Sequence, residues 1–197
     1  MNVSRETEDL LREYADLIRK WNPSINLVAP ATLPDLQHRH IADSAQLYHL
    51  AQPQDGSWLD LGSGGGLPGI VIAILSRNTP LQVTLVESDK RKSAFLATAR
   101  RTLNLPNLTI KPQRIEALAA AQHNFVSARA LASLDKLMPA LHRQLASGGE
   151  AWLLKGRSWQ AEVADARQHW SFDLDVFQSQ TDPDAAVLKL RKIKPND

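Results

Sequence analysis

Five glycines fall within eight residues of this chain, from Gly62 to Gly69. They follow a short, mostly apolar run, 57–61, that is typical of a β-strand, and they precede an apolar run, 70–75, that predicts a buried helix. Glycine tolerates positive φ and has no Cβ, so the backbone can turn sharply and lie close to a ligand. The start of the helix would add unpaired N–H groups and a positive dipole end. This order predicts a site for a nucleotide-like cofactor.

The next predicted strand, 82–87, ends in a carboxylate. Glu87 lies 25 residues after Gly62, and an acidic residue about 20 positions beyond such glycines commonly binds the ribose hydroxyls of a nucleotide. A solvated strand end is the alternative interpretation. Because the glycines stand between a strand and a helix, as a nucleotide site requires, we expect Glu87 to bind ribose.

Strands and helices alternate along most of the chain after residue 52. The predicted strands are 57–61, 82–87, 107–111, 124–128 and 150–155, and the predicted helices are 69–77, 89–103, 114–121, 133–146 and 158–170. This alternation predicts a parallel, doubly wound sheet, in which ligands lie at the carboxyl ends of the strands. The polar or glycine residues that follow predicted strands are Gly62, Glu87, Glu116 and Arg129.

The N-terminal part has a different pattern. Residues 6–21 and 33–50 show the apolar spacing of amphipathic helices, with Thr32 as the expected N-cap of the second. We therefore divide the chain into an N-terminal helical cap, 1–52, and a core, 53–197, which together form one compact domain.

Both NAD and S-adenosylmethionine fit a doubly wound sheet with a glycine turn, and three features favour the second. The dinucleotide fingerprint is present only in a loose sense, as Gly62 and Gly64 followed by Pro68, and Asp60 lies inside the first strand. Residues 172–177 and 186–193 alternate as two strands joined by a turn, which predicts an antiparallel pair at the sheet edge. That pair resembles the reversed edge strand of class I S-adenosylmethionine-dependent methyltransferases, whose Rossmann-like fold is the one we expect here.

Composition limits the chemistry and the location. The chain has 197 residues, is 43% hydrophobic and contains no cysteine, so disulfides, thiolate metal sites and cysteine nucleophiles are excluded. No apolar run approaches the roughly 20 residues that span a bilayer, and the N-terminus lacks the apolar core of a signal peptide. We expect a cytoplasmic protein that does not enter membranes.

Charge is nearly balanced overall, at +2, but basic residues cluster locally. Such clusters are either phosphate-facing patches or solvated faces. They are Lys90, Arg91 and Lys92, then Arg100 and Arg101, then Lys189, Arg191, Lys192 and Lys194. His38 and His40 do not predict a metal site, because residues two apart on a helix do not face each other.

Short motifs cover nearly the whole chain. They are 20–22 (KWN) with 26–27 (NL), 39–44 (RHIADS), 58–69 (WLDLGSGGGLPG), 87–88 (ES) with 90–92 (KRK) and 95–96 (FL), 127–132 (SARALA) and 154–156 (LKG). In these motifs and in their order the chain resembles the RsmG (GidB) family, bacterial methyltransferases of small-subunit ribosomal RNA.

The resemblance implies transfer of a methyl group from S-adenosylmethionine to N7 of one guanine in the decoding-region loop of 16S rRNA. It implies that Arg129 lies near the cofactor and the incoming base and positions them, with no general base. The cofactor-binding residues that it implies are Gly62 and Gly64 with Leu67 at the methionine end, Glu87 at the ribose, Ile115 and Glu116 at the adenine, and Arg129.

An N7 acceptor agrees with the residue types. Methylation at a pyrimidine C5 usually needs a cysteine, and methylation of an exocyclic amine usually uses an Asn/Asp-Pro-Pro-aromatic motif, where this chain has Ser-Ala-Arg-Ala at 127–130. Guanine N7 carries a free lone pair, so positioning and electrostatics suffice. A 2′-hydroxyl acceptor is only disfavoured.

Two other functions stay open at this level: an NAD-dependent oxidoreductase and a non-catalytic RNA-binding module. For the methyltransferase we expect a monomer that acts on 16S rRNA, either naked or within a small-subunit particle, without a metal. Lys155, Arg157 and the cluster 90–92 are the candidate contacts to RNA phosphates.

Overall fold

The computed structural model describes residues 3–196. Its centre is a seven-stranded sheet in the order β3-β2-β1-β4-β5-β7-β6. The strands are β1 (Ser57–Leu61), β2 (Gln82–Val86), β3 (Leu108–Lys111), β4 (His123–Arg129), β5 (Leu145–Lys155), β6 (Trp170–Gln178) and β7 (Ala186–Pro195). Strands β1 to β5 pair in parallel, whereas β7 lies between β5 and β6 and runs antiparallel to both. The predicted fold, a mostly parallel sheet with a reversed strand near its edge, is confirmed.

Helices cover both faces of the sheet. They are α1 (Arg5–Ile25), α2 (Asp43–Ala51), α3 (Gly69–Leu75), α4 (Lys90–Thr102), α5 (Leu134–Gln144) and α6 (Trp159–His169). Successive side chains of a strand point to opposite faces, so Trp58 packs among α1 to α4 while Leu59 and Leu61 pack under α5 and α6. The near-continuous apolar run of β1 is therefore buried on both sides.

The first helix is longer than predicted. The sequence placed its end before Pro23, but α1 continues to Ile25 with Pro23 in its last turn. Proline removes one backbone donor and so interrupts a helix interior, yet only two residues of α1 remain after it. The helix stops at Asn26, whose φ of 49° is left-handed and whose N–H donates to the Asn22 carbonyl.

The predicted second helix, 33–50, is wrong as a single element. The chain forms a 3-10 turn over Pro30–Asp35, a π-helical turn over Gln37–Ala42 and only then α2. Proline at position 34 disfavours the α conformation of the residue before it. Thr32 is accordingly not an N-cap, because its hydroxyl donates to the Ala29 carbonyl.

The predicted helix 114–121 is also wrong, since only Ile115–Ala117 is helical, as one 3-10 turn. Helix α5 supplies the hydrogen bonds that a longer helix would have made for itself. Arg143 donates to the Ile115 carbonyl at 2.9 Å and Gln144 donates to the Ala119 carbonyl at 3.0 Å.

We propose that residues 1–52 form a helical cap on the core 53–197; the outermost residues of this division, 1, 2 and 197, lie outside the described range. In support, Tyr14 and Ile18 of α1 share one buried hydrophobic cluster with Trp58 and Ile70 of the core. Among residues 3–196, no helix combines the length and apolar character needed to cross a membrane.

Candidate active site at the ends of β1, β2 and β4

A cavity of about 620 Å³ lies at the carboxyl ends of β1, β2 and β4. These strands are parallel neighbours, so the residues that follow them meet at one edge of the sheet. Among the lining residues are all seven that the sequence proposed for the cofactor: Gly62, Gly64, Leu67, Glu87, Ile115, Glu116 and Arg129. The structure therefore brings the seven residues together, and their contacts with the cofactor stay a prediction.

The glycine loop begins with a left-handed residue that the site requires. Gly62 has a φ of +62°, and a Cβ built there would lie 2.4 Å from Cδ1 of Leu131, which lines the same cavity. The backbone after β1 thus turns into the cavity without a side chain of its own. The Ser63 N–H, which donates to the Val86 carbonyl at 3.0 Å, ties this turn to β2.

Glu87 joins the glycine loop to the end of β2. Its Oε2 accepts the Gly64 N–H at 2.8 Å, and its Oε1 accepts the Asp89 N–H at 2.7 Å. Each carboxylate oxygen can accept a second hydrogen bond. Glu87 is largely buried yet lines the cavity, so its position is fixed while lone pairs remain for ribose hydroxyls.

Asp60 does not line the cavity but supports the glycine loop through buried hydrogen bonds. Its carboxylate accepts the Ser127 hydroxyl at 2.7 Å and the Gly69 N–H at 3.2 Å, and Ser127 in turn accepts the Trp58 indole N–H at 2.9 Å. Burial raises the pKa of Asp60 to about 6, against the opposing effect of these hydrogen bonds. The network fixes the start of α3 relative to β1 and β4.

Tyr14 is a site residue that sequence reasoning missed. Its hydroxyl donates to the Gly65 carbonyl at 2.6 Å, and its side chain is fully buried. The sequence showed only an aromatic residue on the apolar face of a helix, which is indistinguishable from ordinary core. The contact spans 51 positions, so no local pattern could have indicated it.

Replacing Tyr14 by phenylalanine should lower the free energy of unfolding by about 1–3 kcal/mol, because the Gly65 carbonyl then stays buried without its donor. Urea denaturation measures this change. Tyr48→Phe is the matched control, since the Tyr48 hydroxyl makes no hydrogen bond within residues 3–196; we expect a change below about 0.5 kcal/mol there. Equal effects of the two substitutions would contradict the assigned role.

Arg129 is held from three sides by the segment that precedes and begins α2. Its Nε lies 3.3 Å from the Asp43 carboxylate, and its Nη2 donates to the Arg39 carbonyl at 3.0 Å and to His40 Nδ1 at 2.8 Å. The π-helical turn places these partners together. Asp43 also accepts the Thr181 hydroxyl at 2.8 Å, which ties the network to the β6–β7 connection.

His40 is neutral in this arrangement, and its tautomer follows from its partners. Arginine can only donate, so Nδ1 is the acceptor and the Nε2 N–H donates to the Thr32 hydroxyl, 2.7 Å away. Burial, with the nearby Arg129 and Arg39 charges, lowers the pKa of His40 to about 4. His40 thereby acts as a neutral acceptor that orients Arg129.

The lowered His40 pKa predicts a loss of stability in acid. Between about pH 6.5 and pH 4 the unfolded chain binds a proton that the folded protein does not, so the free energy of unfolding falls as the pH falls through this window, by up to ~3 kcal/mol. His40→Gln keeps a donor and an acceptor but cannot titrate. Its free energy of unfolding should therefore fall less between pH 7.5 and pH 4.5 than that of the wild-type protein. Urea denaturation at several pH values tests this, and parallel pH profiles would contradict it.

Similarity to known proteins shows the family of this chain. The profile of the GidB family, described as rRNA small subunit methyltransferase G, matches residues 7–184. This chain belongs to that family. The ribosomal RNA small subunit methyltransferase G of Paracoccus denitrificans is 53% identical over 194 residues, which cover 98% of this chain and 99% of the relative.

Solved structures show the fold. A ribosomal protein L11 methylase from Lactobacillus delbrueckii subsp. bulgaricus matches with a TM-score of 0.61 and 15% identity, over 81% of this chain and 80% of its own. A SAM dependent methyltransferase from Aquifex aeolicus matches with a TM-score of 0.60 and 10% identity, over 83% and 97%. The predicted family, the class I methyltransferase fold, the enzyme class and S-adenosylmethionine as cofactor are thus confirmed, and the NAD-dependent oxidoreductase and the non-catalytic module are set aside.

The cavity of this GidB-family protein fits that cofactor. Its volume lies within the ~300–1,000 Å³ typical of small-molecule sites. The Gly62 turn leaves room where a Cβ would intrude, Glu87 keeps free lone pairs, and Leu67 and Ile115 supply apolar wall. Within residues 3–196, no cluster of three or more His, Asp or Glu side chains could hold a metal.

The candidate phosphate contacts divide into two kinds. Lys155 does not face solvent: its Nζ donates to the Ala132 carbonyl at 2.7 Å and pairs with Glu162 at 2.8 Å. Its charge is compensated within the protein, so its predicted phosphate contact has no support here and stays a prediction. Lys90, Arg91 and Arg157 are exposed and Lys92 lines the cofactor cavity, so their contact with RNA phosphates stays a prediction.

Proposed function

We propose that this GidB-family enzyme transfers the methyl group of S-adenosylmethionine to N7 of one guanine in the decoding-region loop of 16S rRNA. The observation that carries the N7 acceptor is the pairing of the titratable groups around Arg129. His40 Nδ1 accepts from Arg129, Asp43 is paired with Arg129, and both Glu87 oxygens accept backbone N–H groups. His40 and Asp43 are thus engaged by Arg129 and are not free general bases, and N7 needs none because its lone pair carries no proton.

The chain's own residues would bind the cofactor and orient the reacting groups. Glu87 would accept the ribose hydroxyls, Ile115 and Glu116 would border the adenine, and the turn at Gly62 with Leu67 would face the methionine end. Arg129 would position the reacting groups. When bound, S-adenosylmethionine supplies a methyl group on a sulfonium sulfur, and its transfer forms the N7–C bond, leaves the C–S bonding pair on sulfur and moves the positive charge to the base.

Partner and location follow from that substrate. The proposal includes 16S rRNA as the partner, naked or within a small-subunit particle, a monomeric enzyme and a cytoplasmic location. The name of the relatives, ribosomal RNA small subunit methyltransferase G, supports the substrate class.

The test is transfer of labelled methyl groups. Purified protein is incubated with methyl-labelled S-adenosylmethionine and with either 16S rRNA or small subunits from cells that lack it. We expect one labelled 7-methylguanosine in the decoding-region loop and no label on rRNA from cells that contain the enzyme. Label at an exocyclic amine or a 2′-oxygen would overturn the N7 assignment.

A further inference from the structure

A second cavity, of about 290 Å³, adjoins the cofactor cavity. The two share three lining residues, His40, Arg129 and Ala130. The second cavity continues between the β4–α5 and β5–α6 loops and the β6–β7 connection. Arg129 therefore stands in the wall between two compartments at the carboxyl edge of the sheet.

The charges that line this second cavity balance, since three cations, Arg39, Arg129 and Lys155, stand with three carboxylates, Asp43, Glu162 and Asp182. Arg129 is paired with Asp43 at 3.3 Å and Lys155 with Glu162 at 2.8 Å, and each pair lines the cavity. A phosphate entering it would meet three carboxylates. A neutral, planar base would meet compensated charges and hydrogen-bonding groups instead, so the chemistry of the walls suits a nucleobase.

The hydrogen bonds of Arg129 leave one part of it unused. Its Nη2 donates to the Arg39 carbonyl and to His40 Nδ1, and its Nε forms an ion pair with the Asp43 carboxylate at 3.3 Å. Nη1 has no hydrogen-bond partner in the described chain, 3–196. Since the guanidinium is planar and is held through Nη2 and by the Asp43 ion pair, the two donors of Nη1 have a defined direction.

We propose that the second cavity binds the acceptor guanine and that Arg129 Nη1 donates to its O6. This inference rests on the proposed function and names the base site within it. Guanine carries two acceptors, O6 and N7, on one edge, whereas adenine carries an amino group in place of O6. A donor aimed at O6 accepts guanine, rejects adenine and leaves the neighbouring N7 lone pair free. Asp43 and His40 are then positioning residues that aim Arg129.

The first experiment fills the second cavity from two different walls. Ala132 and Gly156 line it and not the cofactor cavity; both are exposed, and a Cβ on Gly156 would meet no atom within 4 Å. We expect Ala132→Phe and Gly156→Leu each to lower the single-turnover methylation rate by at least ~100-fold, the cost of a misplaced reactant. Affinity for S-adenosylhomocysteine should stay within about twofold, because the cofactor cavity is untouched.

Ala164→Phe is the matched control, since Ala164 is exposed on α6 and lines neither cavity. Thermal melting shows whether Ala132→Phe or Gly156→Leu fails to fold. If one of them does, the methylation rate of the other tests the proposal. A folded filled variant with wild-type rate would overturn the assignment. If the wild-type protein itself transfers no label to rRNA, the proposed function fails and not merely the base site.

The second experiment tests the O6 contact. Small subunits are reconstituted with 16S rRNA that carries guanosine, 2-aminopurine riboside, which lacks O6, or 7-deazaguanosine at the methylated position. For the wild-type enzyme we expect at least a ~100-fold lower rate with 2-aminopurine, because a site built to hydrogen-bond a polar group discriminates against an analogue that lacks this group. In Arg129→Lys, which keeps the charge but loses the fork, that ratio should shrink by about tenfold or more.

Each outcome has one meaning. An equal 2-aminopurine penalty in both enzymes would show that Arg129 acts structurally and would overturn the O6 contact. Methylation of 7-deazaguanosine, which has no N7, would overturn the proposed acceptor instead.

Discussion

Gly62→Asp should abolish cofactor binding, with the Kd for S-adenosylhomocysteine rising by at least ~100-fold, or about 3 kcal/mol. Gly62 lies at the point where β1 turns into the cavity, at a φ of +62°, and a Cβ there meets Leu131 at 2.4 Å. Leucine can move, but the added carboxylate would then occupy the cavity itself. Aspartate is the better test residue, because it tolerates the left-handed conformation more than most side chains do. Isothermal titration calorimetry measures the affinity.

Gly148→Asp separates this effect from backbone strain. Gly148 also has a left-handed φ, +81°, but a Cβ there meets no atom within 4 Å, and the residue lies outside the cofactor cavity. We expect it to lower stability by about 1 kcal/mol, the cost of the left-handed conformation, and to leave the affinity unchanged. Unaltered affinity of a folded Gly62→Asp protein would refute the role of the turn.

Glu87→Ala should lower the affinity for S-adenosylhomocysteine by about 100-fold, which is the second large effect. The substitution removes the proposed acceptor of the ribose hydroxyls, and hydrogen bonds to a charged group contribute about 1.5–3 kcal/mol each. It also releases the N–H groups of Gly64 and Asp89, which Glu87 holds at 2.8 and 2.7 Å. Loss of ribose binding and loosening of the loop therefore act in the same direction.

A cycle with an altered ligand separates these two causes. The 2′,3′-dideoxy analogue of S-adenosylhomocysteine lacks the hydroxyls, so wild-type protein should bind it much more weakly than the parent compound. Glu87→Ala protein should bind both ligands almost equally. If the mutant still discriminates as the wild type does, Glu87 supports the loop and does not contact the ribose. Glu87→Gln, which keeps the shape but loses the charge, should fall between the two proteins.

Local and period-dependent features of the site were predictable. The glycine loop and Glu87 could be placed because strand ends and turns are written in short stretches of sequence, and because parallel strands bring their carboxyl ends to one edge. The same reasoning failed at 33–50 and at 114–121. In both, contacts from distant parts of the chain replace the hydrogen bonds that local propensity assumed. Arg129 of β4 donates to the Arg39 carbonyl in the first segment, and Arg143 of α5 donates to the Ile115 carbonyl in the second.

The environment of Arg129 shows most clearly what the sequence could predict and what it could not. Its place at the end of β4 was predicted, but its partners His40 and Asp43 lie almost 90 residues earlier, and the sequence indicated of His40 only that it does not form a metal site with His38. Burial decided that His40 is a neutral acceptor and that Lys155 is an internal ion pair. Neither burial nor pairing can be read from residue type.

The amino-acid order by itself determined the alternating strands and helices, the glycine turn and the family to which the chain belongs, since each depends on neighbours a few positions apart or on motifs in sequence order. The tertiary structure alone decided that Tyr14 supports the glycine loop, that Arg129 separates two cavities and that one of its nitrogens is left to meet a ligand. Those properties arise from contacts between groups 50 to 140 residues apart, such as Asp43 with Thr181. Such contacts exist only when the helical cap, the sheet and the closing strands pack together.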